Sequence, residues 1–179
     1  MADIGGGGRG GAAGRFVVGV SGSLGSLTAL HHAVAEARRT DAEVLAVLAW
    51  IPPGDGLGHH RTPCPPVLTA SREAAATRLR QVLDEAFAGR HAGVRLRCQT
   101  VRGDAGHSLV RCADQPGDQL VLGAGRSRGC FSRLLRPSVT AYCVRHATCP
   151  VLAVPRSPLH HDLEALERGR DLRILSAGG

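Results

Sequence analysis

The sequence contains no lysine and no asparagine among its 179 residues. Without a lysine amine there is no Schiff-base chemistry. A Walker-type phosphate loop, which ends in Gly-Lys-Ser/Thr, is excluded for the same reason. A protein-kinase site, with its strand lysine and loop asparagine, is excluded as well. Aromatics are scarce. Phe16, Trp50, Phe87, Phe131 and Tyr142 make up 3% of the chain, too few for the platforms on which single-stranded nucleic acid stacks. No apolar run approaches the ~20 residues of a membrane span. Neither a specific nucleic-acid partner nor a membrane is therefore expected. The opening MADIGGGGRGGAAG has no apolar stretch behind a basic region, so it does not read as a secretory signal. Residues 1–14 read as a flexible Gly-rich tail, and the expected location is cytoplasmic.

What the chain does have is arginine. All 22 basic residues are arginine, against 15 acidic residues, for a net charge of +7. A GC-rich genome accounts for arginine in place of lysine, but not for its distribution. Between Gln119 and His161 lie Arg126, Arg128, Arg133, Arg136, Arg145 and Arg156, with no acidic residue among them. The rest of the chain is nearly balanced. Arginine is permanently charged and forks onto carboxylates and phosphates, so any anion site must use arginine, backbone N–H groups or hydroxyls. The six cysteines (Cys64, Cys98, Cys112, Cys130, Cys143 and Cys149) include no C-x-x-C pair, which points to reduced thiols. Cys143, His146 and Cys149 form the tightest cluster. Cys149 precedes Pro150 and falls beyond the helix, so core and surface thiols are expected rather than a zinc site. The histidines come mostly as adjacent pairs, which face different ways on a helix, and are expected at the surface.

The order of elements is legible from periodicity. FVVGV (16–20) is a buried strand, and residues 24–39 carry Leu27, Leu30, Val34 and Ala37 at helical spacing. EVLAVLAW (43–50) is the second strand, stopped by Pro52 and Pro53. Residues 52–68 read as a Pro/Gly/His loop and 69–88 as a helix. A third strand (93–101), a short helix (105–114), a fourth strand (119–124), a helix (138–147) and a fifth strand (150–155) follow. Continuously apolar strands alternating with helices indicate an α/β fold with a parallel sheet covered on both faces. Ligands of such sheets sit at the carboxyl ends of the strands, near the point where strand order reverses. Leu159, Leu163 and Leu166 give the extension at 157–179 the spacing of a short amphipathic helix.

VVGVSGSLGSLTALHHAVAEA, VRGDAGHSLVRCA and LVLGAGRSRGCFSRLLRPSVTAYCVRHATCPVLAVP resemble the universal stress protein domain over residues 15–156. The last stretch is the most specific. A strand, a Gly/Arg loop, a Phe, a Leu pair, a Ser-Val helix start and His-Ala-x-Cys-Pro-Val come in family order. The resemblance implies a Rossmann-like, open five-stranded parallel sheet of order 3-2-1-4-5. It also implies a homodimer through the last strand (150–155), a non-enzymatic role in stress response, and an as yet unspecified protein partner.

Many members of that family bind ATP through an aspartate after the first strand and a loop G-x-x-G-x9-G-S/T after the fourth. Aligned without gaps, the aspartate position is Ser21, the three glycines are Ala124, Ser127 and Pro137, and the hydroxyl is Ser138. Ser21 has no charge. Ala124 and Ser127 add a Cβ where backbone should approach a phosphate, and Pro137 has no N–H to donate. The resemblance thus implies a degenerate nucleotide site made of Ser21, Ala49, Gly103, Ala124, Gly125, Arg126, Ser127, Arg128, Gly129, Ser138, Val139 and Thr140. It requires no cofactor, with ATP bound weakly if at all. Two alternatives stand beside this reading. In one, serine and arginine compensate and ATP binds. In the other, SGSLGS (21–26), which resembles the SGGxDS pyrophosphate loop of ATP pyrophosphatases, serves an enzyme. There Ser23 replaces a glycine and Gly25 the aspartate. The plainer role for Gly19, Gly22 and Gly25 is a tight strand-to-helix turn, and for Asp104 a helix cap.

Overall fold

A computed structural model describes residues 14–53, 64–90, 92–124 and 138–155. Five strands and four helices alternate along the chain: β1 (Arg15–Gly19), α1 (Leu24–Thr40), β2 (Glu43–Trp50), α2 (Pro65–Phe87), β3 (Arg95–Arg102), α3 (Ala105–Cys112), β4 (Asp118–Gly123), α4 (Val139–His146) and β5 (Val151–Val154). All strand pairs are parallel, and the order in the sheet is β3-β2-β1-β4-β5. This is the order that the resemblance implied.

The inner strands β1, β2 and β4 are apolar on both sides because both sides are covered, whereas the edge strand β3 is mostly exposed. Val18, Val44, Ala46 and Val121 pack with Ala29, Leu30, Ala33 and Leu79 under α1 and α2. Val17, Leu45, Val47, Leu120 and Leu122 pack with Leu109 and Cys143 under α3 and α4. Alternate residues of these inner strands thus feed two separate cores, as the period-2 geometry of a strand requires.

Helix ends follow local chemistry. Ser23 caps α1 by accepting from the Ser26 N–H, and Asp104 caps α3 by accepting from Gly106 and His107. Both are ordinary N-caps. One boundary differs from the sequence reading. The stretch through Leu68 reads as loop, yet α2 already begins at Pro65. Pro65 and Pro66 occupy the first two helical positions, where a missing N–H costs nothing and the fixed φ favours the helix. Prolines that looked like breakers are the start of the helix.

At the amino ends of the central strands, Arg15 forks onto Asp118, with Nε to Oδ1 at 2.9 Å and Nη2 to Oδ2 at 2.7 Å. Arg15 and Asp118 are register partners in β1 and β4, so the ion pair ties the two strands whose separation defines the crevice at the other end. Burial pushes the Asp118 carboxyl up. The Arg15 hydrogen bond and the Gln115 N–H outweigh it, and the group is held below its ordinary value.

Candidate functional site

The strand order reverses between β1 and β4, because β1 continues through a helix to β2 on one side while β4 lies on the other. A crevice at the carboxyl ends of these two strands is the place where such a sheet receives a ligand. Hydrogen bonds beyond the strands fix its rim. Gly103 N–H donates to Trp50 O at 2.9 Å, and Ala124 N–H donates to Val154 O at 2.7 Å. Among the proposed site residues, Ser21, Ala49, Gly103, Ala124, Ser138, Val139 and Thr140 all lie at this end, on or just after strands or at the start of α4. Gly125, Arg126, Ser127, Arg128 and Gly129 lie outside the described residues.

The loop after β1 is closed by its own hydroxyls. Ser21 Oγ lies 3.0 Å from Ser23 Oγ and 3.4 Å from Ser26 Oγ. Ser26 Oγ donates to Ser23 O at 2.8 Å. Ser26 is buried, while Ser21 and Ser23 are exposed. Gly22 has φ +81°, a left-handed conformation that glycine adopts without penalty. The turn role expected of this glycine group holds, but each member serves it differently. Gly22 turns the backbone. Gly19 faces Leu109 and Leu122. Gly25 packs against Gly123, at the end of β4.

That last contact lies beside the crevice. A Cβ on Gly123 would collide with the Gly25 backbone, so glycine at 123 lets the start of α1 press directly on the end of β4. The ungapped family alignment puts Ala124 in the first glycine position. The close backbone approach is one residue earlier.

Ser138 and Thr140 are also occupied locally. Ser138 Oγ accepts from Ala141 N–H at 3.1 Å and caps α4. Thr140 Oγ1 donates to Gly123 O at 3.3 Å, which fixes α4 to the end of β4. Sequence reasoning missed a second feature. The Arg78 guanidinium, reaching over from α2, lies against Gly22, where an added Cβ would overlap it. The signal available in the sequence is that Arg78 stands one helical turn before Val82, on the border of the buried stripe of Ala75, Leu79 and Val82.

Among the described residues no three His, Cys, Asp or Glu side chains converge. Cys143 is buried against Gly106 O, and burial pushes its thiol up to about 11. His146 is exposed and stacks on Tyr142 with ring centroids 4.1 Å apart.

Comparison with known proteins agrees with this architecture. A family model described as the universal stress protein family matches residues 13–155. A universal stress protein of Mycolicibacterium smegmatis is 31% identical over 141 residues, covering 77% of this chain and 44% of its own length. The chain thus spans less than half of that relative. A crystal structure of a universal stress protein in complex with cAMP is 29% identical, with a TM-score of 0.61, and covers 82% of this chain and 100% of its own. The universal stress protein UspA from Lactobacillus plantarum is 26% identical, also with a TM-score of 0.61, and covers 79% of this chain and 97% of its own. Among the described residues, no helix is long and apolar enough to cross a membrane.

Proposed function

The chain belongs to the universal stress protein family, and from that premise we propose that it is a binding and signalling protein of the stress response whose adenine-nucleotide site is degenerate. The observation that carries this reading is the loop after β1. Where the family motif has a carboxylate, Ser21 offers an uncharged hydroxyl, already within hydrogen-bond distance of Ser23 Oγ. A neutral hydroxyl shared with a neighbour is a weaker partner for a ribose or base edge than a free carboxylate. Pro137, in the position of the last loop glycine, removes a phosphate donor outright. Ala124, in the position of the first loop glycine, keeps its N–H but donates it to Val154 O.

The role proposed is non-enzymatic and cytoplasmic, with a protein partner as the output and a homodimer through β5, an edge strand of the sheet. The pyrophosphatase reading has less to support it, because Ser23 is spent as a helix cap and Gly25 as a packing surface. A second reading, a competent nucleotide binder, draws on the relative whose structure holds cAMP. Nucleotide content of the purified protein separates the two. Denatured protein should release far less than one nucleotide per chain. Stoichiometric ATP would overturn the proposal. If the second reading holds, Ser138→Ala and Arg128→Ala should both weaken nucleotide binding.

A further inference from the structure

Among the described residues, the large apolar side chains that stand out into solvent are Leu24, Ile51, Val67, Val139 and Val144. Single exposed apolar residues are ordinary. What distinguishes these is where they collect. Leu24 and Val139 open α1 and α4, Val67 lies in the first turn of α2, and Ile51 directly follows β2. Where parallel strands alternate with helices, strand ends and helix starts share one end of the sheet. Leu24, Ile51, Val67 and Val139, between 37% and 47% exposed, therefore all lie at the carboxyl end. Leu24 and Val139 stand close to the crevice. Gly25, next to Leu24, packs on Gly123, and Thr140, next to Val139, donates to Gly123 O. This end is also short of negative charge. None of the four helices has an acidic residue in its first turn, where a carboxylate is favoured by the helix dipole. Asp104, the cap of α3, already accepts from Gly106 and His107 N–H.

The chain after β5 is delivered to the same end. Val154 O accepts from Ala124 N–H, so β5 leaves the sheet level with the end of β4. Residues 156–179 lie outside the described residues. Their sequence has Leu159, Leu163 and Leu166 at the spacing of one helix face. It also has Asp162, Glu164 and Glu167, with no arginine from Ser157 to Glu167. Apolar side chains and carboxylates are the two kinds of partner that the carboxyl end lacks. Neighbouring strands stand about 4.8 Å apart, so β1, two strands from β5, is about 10 Å away. The stretch from Pro155 to Pro158 spans that distance when extended, at about 3.3 Å per residue. We propose that residues 159–167 dock on the carboxyl end of their own sheet. The three leucines cover Leu24 and Val139, and the carboxylates face the helix starts. This docking does not rest on the degenerate-site reading.

Hydrogen–deuterium exchange of the full chain, without added nucleotide and read by mass spectrometry, tests the docking. The first N–H groups of a helix have no partner within it, so most of them exchange fast unless something covers them. The comparison is with the triple variant Leu159→Ser, Leu163→Ser and Leu166→Ser. Peptides spanning 22–27 and 138–142 should exchange about tenfold more slowly in wild type, because a docked segment suppresses local opening. A peptide spanning 113–118, at the amino end of the sheet, should exchange alike in both. The reciprocal variant, Leu24→Ser with Val139→Ser, leaves the extension intact, and its peptide spanning 159–167 should exchange faster than in wild type. Equal exchange at 22–27 and 138–142 in wild type and the leucine variant would overturn the proposal. So would protection that disappears on dilution by about tenfold, which would give the surface to a second copy of the chain. Protection that survives dilution supports docking within one chain.

Discussion

Replacing Gly123 by alanine tests the packing of the start of α1 on the end of β4. The new Cβ would lie 3.0 Å from Gly25 Cα and closer still to the Gly25 carbonyl, whereas carbon atoms in good contact stand about 3.5–4.0 Å apart. Both sides of this clash are backbone, so no side chain can rotate away. Either the start of α1 lifts off β4 or β4 bends. Overpacking of a tight interior costs about 1–3 kcal/mol. With backbone on both sides the upper end of that range, about 3 kcal/mol, applies; the stiffness of alanine relative to glycine in a strand returns about 0.5–1 kcal/mol, which leaves a net loss of about 2 kcal/mol. Gly19→Ala is the matched control. Its Cβ would meet Leu109 Cδ1 at 2.9 Å and Leu122 Cδ2 at 3.1 Å, the far ends of flexible side chains, so its cost should stay under about 1 kcal/mol. Urea denaturation followed by circular dichroism measures both. Gly123→Ala should lower the midpoint with the slope unchanged, and its melting temperature should fall by roughly 4–8 °C. A Gly123→Ala protein as stable as wild type, or one less affected than Gly19→Ala, would refute the claim that these two backbones touch.

Two further outcomes follow from charge and burial. The Asp118 carboxyl is held below its ordinary value in the folded protein, so its pairing with Arg15 stabilises the fold above the unfolded carboxylate value of about 4. That contribution should be lost as pH falls from there through the depressed value. Asp118→Asn should cost about 3 kcal/mol at neutral pH and flatten this part of the stability–pH curve, and an unchanged acid limb would contradict the assignment. Cys143, buried and with its thiol raised to about 11, should resist maleimide at neutral pH while exposed Cys64 and Cys98 react. Mass spectrometry of the native and the urea-unfolded protein checks this, and early labelling of Cys143 would argue against its place under α4.

Much of the fold was legible because its causes are local. Apolar runs such as FVVGV and EVLAVLAW sit in the middle of the sheet, covered on both faces, so no polar position interrupts them. Asp104 was legible as a cap because it directly precedes the first turn of α3. The start of α2 was harder to see, since Pro65 and Pro66 carry the same residue type at a helix start as in a loop, and only the register of the following turns decides. The site was half legible. Ser21 and Ser138 could be placed from the order of motifs. Gly123 could not, because its role depends on Gly25, which is brought to it only when α1 packs on the sheet. Arg78 was invisible for the same reason: 56 positions separate it from Gly22 in sequence, and only the packing of α2 on β2 and β3 brings them into contact.

The central claim is that a universal stress protein sheet has here lost the carboxylate and donors that hold an adenine nucleotide. The most direct measurement is the nucleotide released on denaturing the protein as purified, paired with a titration of the same preparation with ATP. The account predicts far less than one nucleotide per chain and only weak binding of added ATP. One tightly held ATP per chain would contradict it.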